Sequence, residues 1–331
     1  MKILVTGSAG HLGEALMRTL RNSSHRGAYA PIGLDVLASP YTDIVGSIAD
    51  RAFVRDCLRG VDAVLHAATL HKPHVATHPR QAFIDVNLTG TLTLLEEAAA
   101  AGVGTFVFTS TTSAFGRALS PPAGEPAAWL TEDVVPVPKN IYGVTKVAAE
   151  NLCELFHRDS GMPCIVLRTS RFFPEEDDQA AVREARADAN NKANEFLYRR
   201  VDIEDVVSAH LLAIEKGPSI GFARYIVSAT TPFTRADLGD LRHDAPAVVR
   251  RHVPEFAAEY ARLGWTMFEG IDRVYDNTRA RVELGWRPRY DFQSVIERLR
   301  ASEDILSPLA RAIGSKGYHR EVFGGVPYPI Q

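Results

Sequence analysis

Cysteine is scarce: Cys57, Cys153 and Cys164 are the only three in 331 residues, an odd number without the spacing of a disulfide framework or a metal site. They read as reduced thiols. A strand-like run beginning at Ile3 leads to the expectation of a cytoplasmic protein with no cleaved signal peptide. Long apolar runs are missing, and none approaches the ~20 residues of a membrane span. An excess of one charge is missing too: the formal net charge is -3 with 23% charged residues, which gives no ground for nucleic acid or a membrane surface as partner. There is no internal repeat and no low-complexity stretch. What is left is an ordinary globular composition, 46% hydrophobic, in a chain long enough for a two-lobed α/β protein.

The informative stretch comes first. Ile3, Leu4 and Val5 form an apolar run suited to a strand buried on both faces. Gly7, Gly10 and Gly13 follow at the spacing G-x-x-G-x-x-G, and Leu12, Leu16, Met17 and Leu20 then mark one stripe of a helix. Strand, glycine turn and helix together hold a pyrophosphate, because glycine lets backbone approach the phosphates and the helix N-terminus offers N–H groups. A second strand, Ile32-Gly33-Leu34, ends at Asp35, 22 residues after Gly13 and close to the roughly 20 expected for a ribose-binding acid. A carboxylate there accepts from both ribose hydroxyls and repels a 2′-phosphate, so NAD is expected rather than NADP. The competing reading is an ordinary βαβ turn with a surface Asp.

Apolar strands alternate with amphipathic helices as far as about Ser170, which predicts an α/β fold with a doubly wound parallel sheet of Rossmann type and a smaller C-terminal substrate lobe. Further strands are expected at Asp43–Val45, Ala63–Ala68, Thr105–Phe108, Cys164–Arg168 and Tyr225–Val227, with Asp50 capping the helix of Phe53, Val54 and Leu58. One long helix, Arg80 to Ala101, carries two apolar faces, Phe83, Val86 and Gly90 on one and Leu88, Leu92, Leu95 and Ala99 on the other. Two faces need two surfaces to cover, and a homodimer is expected. Phe172 to Asn194 is charged and Ala-rich, and reads as a surface helix or lid. The division expected is 1–170 plus 201–230 for the dinucleotide-binding domain, and 171–200 plus 231–331 for the substrate lobe, with a tail from Ser307 to Gln331 wrapping a surface.

Tyr142-Gly-Val-Thr-Lys146 places a phenol and an ammonium one turn apart on a helix from Ile141 to His157. A phenol near pKa 10 is a poor base at neutral pH; lowering it to about 7 takes roughly 4 kcal/mol. A nearby ammonium and a cationic nicotinamide ring are the expected sources.

In these motifs the chain resembles an extended short-chain dehydrogenase/reductase of the NAD-dependent epimerase/dehydratase family. The matching pieces are Thr6 to Gly13, Asp35, His66-Ala67-Ala68, Asn87 with Gly90-Thr91, Ser110 to Gly116, Tyr142 to Lys146, Arg168 and the late Val201 to Asp205. The resemblance implies that Gly7, Gly10, His11, Leu12, Gly13, Asp35, Ile48, Ala67, Ala68, Asn87, Ser110, Tyr142, Lys146 and Ser170 bind the cofactor. It implies Thr111, Tyr142 and Lys146 as the catalytic set. Thr111 would hold the substrate hydroxyl, Tyr142 would exchange its proton, and Lys146 would bind the nicotinamide ribose. A strand-end hydroxyl bonding backbone is the plain alternative for Thr111.

Departures from the family pattern narrow the reaction. Sugar 4,6-dehydratases carry Asp-Glu directly after the catalytic Thr; here Thr112 and Ser113 stand there and cannot drive elimination. The Glu of decarboxylating relatives and the Cys of 3,5-epimerases are likewise absent from position 113. What remains is epimerisation through a ketone, or net dehydrogenation and reduction of a sugar-like alcohol. Ser47 replaces the family's adenine-side acid. Arg171 stands where nucleotide-sugar members carry Asn, and only 37 residues separate Arg168 from Asp205, without the usual Gly-Asp-Gly strand. A free sugar or sugar acid is therefore an alternative to a nucleotide sugar. His71, Lys72, His74 and His78 form a basic cluster after the fourth strand. A solvated loop and substrate contact by Lys72 and His74, with Arg171 and Arg199, are the readings; no metal is expected. A catalytically silent dinucleotide-binding protein is the alternative from another class.

Overall fold

The apolar runs become strands of one sheet. In the computed structural model, which describes residues 1–22, 28–177 and 179–316, the first five strands are β1 (Lys2–Thr6), β2 (Ala30–Asp35), β3 (Ile44–Val45), β4 (Ala63–His66) and β5 (Thr105–Thr111). A short β6 (Ala128–Leu130) lies outside the main sheet. β7 (Cys164–Thr169) and β8 (Phe222–Val227) complete seven strands in the order β3-β2-β1-β4-β5-β7-β8. β1 pairs in parallel with β2 and β4, and β4 with β5. The helices between the strands include α1 (His11–Arg21), α2 (Arg51–Cys57), α5 (Ile141–Ser160) and α8 (Ile203–Ile220). This is the doubly wound α/β fold expected. Asp50 caps α2 by accepting from Phe53 N–H at 3.1 Å. No helix among the described residues is long and apolar enough to cross a membrane.

The chain divides into two compact units, the first comprising residues 1–114, 138–168 and 206–225 and the second 115–137, 169–205 and 226–331. The segment 115–137, assigned to the dinucleotide-binding domain from sequence, falls in the second unit. Its β6 pairs in parallel with β9 (Arg273–Tyr275), far along the chain. The first unit's core joins Leu4, Val64, Leu95, Phe106 and Val166. The second packs α10 (Ala245–His252), α11 (Phe256–Leu263) and α13 (Phe292–Arg300) around Val248, Phe256, Tyr260, Phe292 and Ile296.

Two expectations need correction. The helix from Arg80 to Ala101 is not one α-helix. It is α3 (Arg80–Phe83), a π-helical turn (Ile84–Thr89) and α4 (Gly90–Ala100). A π turn adds a residue and shifts the register of everything after it. The buried positions include Phe83, Asn87, Gly90, Thr91, Leu94, Leu95 and Ala98, while Val86, Leu88 and Leu92 are half-buried. Nor is Phe172 to Asn194 a surface helix: α7 (Asp188–Glu195), which follows the short α6 (Ala180–Ala185), is buried from Asn190 to Glu195. Most of its polar side-chain atoms find internal partners, Asn190 and Asn194 each donating to Thr266 O at 3.0 and 2.9 Å. The tail expected to wrap a surface lies outside the described residues from Gly317 onward; Ser307 caps α14 (Pro308–Ile313).

A buried ion pair ties α5 to the sheet. Glu150, 1% exposed, accepts from Arg168 at 2.8 Å, from Ser110 Oγ at 2.5 Å and from Arg224 at 3.3 Å. Removing one member of such a group leaves buried charge uncompensated. Glu150→Ala is expected to lower stability by about 3–5 kcal/mol in urea unfolding; a loss under about 1 kcal/mol would show that solvent reaches the arginines.

Candidate active site

Backbone contact builds the first half of the site. The order of strands reverses at β1, whose neighbours are β2 and β4, and ligands of open α/β sheets bind at such a switch point, beyond the carboxyl ends of the strands. There Gly7 adopts φ +74°, and a Cβ on it would stand 2.7 Å from Ala68 N. A Cβ on Gly13 would stand 1.9 Å from Gly7 O. Only glycine fits either position. The turn is thereby pressed between the end of β4, at Ala67-Ala68, and the first turn of α1, where His11, Leu12 and Gly13 are buried and no side chain caps the N-terminus. Asp35 accepts from Ala9 N–H and Leu37 N–H, both at 2.9 Å, which fixes its carboxylate beside the glycine turn. A backbone cradle at a helix N-terminus with an acid beside it fits a dinucleotide.

A polar chain runs beneath the cradle. Thr91 Oγ1 donates to Asn87 O at 2.7 Å, so His66 Nε2 must donate to Thr91 and His66 Nδ1 must accept from Thr6 Oγ1, at 2.9 and 2.7 Å. Thr6 Oγ1 in turn accepts from Ala68 N–H at 3.2 Å. Burial, reinforced by the charge of Lys146, pulls the His66 pKa down to about 3, so the ring is neutral and its tautomer is set. Asn87 sits in the π turn. Its Oδ1 accepts from Leu70 N–H at 2.7 Å, and its Nδ2 donates to Leu70 O at 3.0 Å and Thr145 Oγ1 at 3.2 Å. Ile48 is buried where Gly90 lacks a side chain, and Ser47 Oγ accepts from Ala49 N–H at 3.2 Å, a turn-making role.

Thr111 ends β5, and Tyr142 and Lys146 lie one turn apart on α5, whose N-cap is Asn140. The Tyr142 hydroxyl is hydrogen-bonded to Thr111. Lys146 is 3% exposed; its Nζ donates to Thr109 O at 2.6 Å and lies 4.2 Å from the Phe108 ring centroid. The electrostatics differ from the sequence expectation. Burial raises the Tyr142 phenol to about 12 against the lowering effect of Thr111, and pulls Lys146 down to about 7 against the raising effect of Glu150. Desolvation outweighs pairing in this pocket.

The other predicted residues fare variously. Ser110 donates to Glu150, a bond that braces the core. Ser170, in the second unit, has a buried hydroxyl with no hydrogen-bond partner among the described residues. Arg171 and Arg199, with Arg200 beside them, are drawn into ion pairs. Arg199 pairs with Asp177 at 2.6 Å and Glu195 at 2.5 Å, Arg200 with Glu195 at 2.7 Å, and Arg171 with Asp177 at 3.5 Å. Their cationic neighbours hold Glu195 down at about 2 despite its burial. Lys72 and His74 lie in a 3-10 turn, Lys72–Ala76, where His74 Nδ1 accepts from His71 N–H at 2.8 Å. Sequence reading missed that His71 stacks on Tyr142, with centroids 5.6 Å apart and planes at 21°. The two are 71 residues apart in sequence, and only the H-x-x-H pattern of a capping turn hints at the order there.

A glycine cradle, a ribose-side acid and a Thr–Tyr–Lys set on one Rossmann unit define an NAD-binding protein with oxidoreductase-type side chains. Residues 3–221 match the family described as NAD dependent epimerase/dehydratase. The chain belongs to that family, and NAD is its cofactor. It is 27% identical over 331 residues to a UDP-glucose 4-epimerase of Rhizobium leguminosarum bv. trifolii, covering 89% of this chain and 94% of the relative. It is 28% identical over 327 residues to a dTDP-glucose 4,6-dehydratase of Streptomyces antibioticus, covering 90% and 91%. In fold it is similar to the crystal structure of UDP-N-acetylglucosamine 4-epimerase from Bacillus cereus, with a TM-score of 0.62 at 20% identity over 91% of this chain and 98% of that one.

The depressed pKa of Lys146 makes a signed prediction. In the folded chain it sheds its proton near 7, in the unfolded chain near 10.5. Between those values the unfolded state binds more protons, so this group's contribution to stability improves as pH rises and is least favourable below 7. The stability difference between Lys146→Met and wild type should therefore shift in favour of wild type from pH 7 to 10, by thermal unfolding of both proteins. A flat difference would mean that the ammonium is solvated.

Proposed function

We propose that the protein is an NAD-dependent oxidoreductase of the epimerase type, inverting a hydroxyl of a sugar or nucleotide sugar through a keto intermediate. The observation that carries this reading is the buried Tyr142 phenol, hydrogen-bonded to Thr111, with Lys146 one turn on and the glycine cradle in the same unit. Thr111 holds the substrate hydroxyl. Tyr142 takes its proton as the carbonyl forms and returns one as the alcohol re-forms. Gly7, Gly10, Gly13, Asp35, Ala67, Ala68, Asn87 and Lys146 hold NAD. When bound, NAD supplies a two-electron acceptor that remains in the site and returns the pair. Thr112 and Ser113 offer no acid and base for elimination, which disfavours 4,6-dehydration.

A second reading is net dehydrogenation or reduction of a free sugar, sugar acid or other small alcohol. It is supported by the arginines at 171, 199 and 200, most of whose charge is met by Asp177 and Glu195 within their own unit rather than left for a diphosphate. A silent dinucleotide-binding protein would have no need of Thr111, Tyr142 and Lys146 together. We further propose a homodimer through the helical stretch Arg80–Ala101 and α5, supported by half-buried Val86, Leu88 and Leu92 and by Val144 and Leu155, which are 49% and 38% exposed. A monomer by light scattering at micromolar concentration counts against it.

The first experiment is a screen of sugars, sugar acids and nucleotide sugars, scored for epimer conversion and for NADH release. On the compound it yields, Tyr142→Phe should lose at least ~100-fold in turnover while binding NAD near normally by calorimetry, and Thr111→Val should also act mainly on turnover. Near-wild-type turnover in Tyr142→Phe would remove Tyr142 from the base position. Separately, wild type should prefer NAD over NADP by about tenfold or more, and Asp35→Ala should erode that preference. Equal binding of the two cofactors by wild type would sink the role given to Asp35.

A further inference from the structure

Tyr142 is covered on one side by a ring held with unusual firmness. His71 is the N-cap of the 3-10 turn Lys72–Ala76, and its cap is reciprocal: the His71 side chain accepts from the His74 backbone N–H, and His74 Nδ1 accepts from the His71 backbone N–H at 2.8 Å. The residue before His71 is gripped as well. Leu70 exchanges two hydrogen bonds with the Asn87 side chain, at 2.7 and 3.0 Å, and Asn87 also donates to Thr145 on α5, at 3.2 Å. Thr145 Oγ1 donates to the Tyr142 and Ile141 carbonyls, each at 3.0 Å. The turn that carries His71 is thus clamped to the helix turn that carries Tyr142, and the stacked rings lie at the meeting point.

We propose that His71 is a positioning residue for Tyr142: its ring, stacked on the phenol, holds that phenol in line with Thr111. This rests on the reading of Tyr142 as the proton-exchanging group. A phenol on α5 keeps freedom about its side-chain torsions unless a neighbour removes it, and proton transfer is steeply sensitive to misplacement. Thr111 restrains only the hydroxyl end. His71 restrains the ring plane, and the reciprocal cap and the Asn87 clamp restrain His71.

Two substitutions separate the ring from the cap. His71→Phe keeps a flat ring for stacking but cannot accept from His74 N–H. His71→Asn keeps an acceptor suited to a cap but has no ring. Both are made in the full chain with ¹³C-labelled tyrosine, and the Tyr142 signal is assigned by its loss in Tyr142→Phe. The expected result is that His71→Phe retains the ring-current shift of Tyr142 and turns over within about threefold of wild type, while His71→Asn loses the shift and at least ~10-fold in kcat with KM little changed. The proposal is overturned if His71→Asn leaves both shift and turnover in place, or if His71→Phe falls as far as His71→Asn, which would make the cap the operative feature. The NMR comparison needs no substrate and distinguishes the two levels. Tyr142→Phe retaining turnover while the shift persists in wild type removes the proton-transfer reading and leaves the stack standing. No shift in wild type removes the stack itself.

Discussion

Gly7 has no side chain because the peptide of Ala68 lies where one would go, and Gly13 has none because the carbonyl of Gly7 does. These two contacts set how closely β1, its turn, α1 and the end of β4 can approach. That approach gives the first unit its cradle. It also brings Ala68 N–H within reach of the Thr6 hydroxyl, the first link of a hydrogen-bond chain that passes through neutral His66 and Thr91 to the Asn87 carbonyl. Asn87 then closes on Leu70 and Thr145, and α5 is held by the same set of bonds. An added methyl at position 7 would reach beyond a local clash. It would part the strands whose spacing lets a buried histidine be satisfied at both ring nitrogens.

The second unit solves a different problem with charge. Its segment from 171 to 200 buries Arg200 and Glu195 almost completely and surrounds them with Arg171, Arg199 and Asp177. Buried charges cost several kcal/mol each unless every one is paired. Here three arginines surround two acids, and despite burial Glu195 remains ionised well below the usual carboxylate range. Such a cluster is specific in geometry, with two of its three arginine charges met by acids of the same segment.

Much of this was legible in the sequence. The glycine spacing, Asp35 at its distance and the Tyr142/Lys146 pair are local patterns whose chemistry depends on few neighbours, and the alternation of apolar strands with amphipathic helices carried the sheet. What was illegible depends on contacts between distant residues. The π turn at Ile84–Thr89 leaves no mark in a stripe that still looks helical on either side of it. The polar run from Asn190 to Glu195 looks like a surface because sequence cannot show that Thr266 partners Asn190 and Asn194 and that Arg199 and Arg200 pair with Glu195. His71 looks like one member of a solvated basic loop until its ring is seen on Tyr142.

The pKa values show what burial adds to a local inference. A lysine one turn from a tyrosine suggests a phenol drawn downward by a neighbouring cation. Burial acts on both groups before they act on each other. It favours the uncharged phenol and the uncharged amine, and it moves Tyr142 to about 12 and Lys146 to about 7. For Tyr142 to act as a base near pH 7, its pKa must fall by about five units, or about 7 kcal/mol at 1.4 kcal/mol per unit. Within its unit the lowering influence on the phenol is the Thr111 hydrogen bond, and the Lys146 amine is directed at the Thr109 carbonyl. The protein alone therefore holds the Tyr142 phenol in its protonated form. Whatever lowers it must enter with the ligands, and the rings and hydrogen bonds around Tyr142 have the separate task of keeping the phenol in place until that happens.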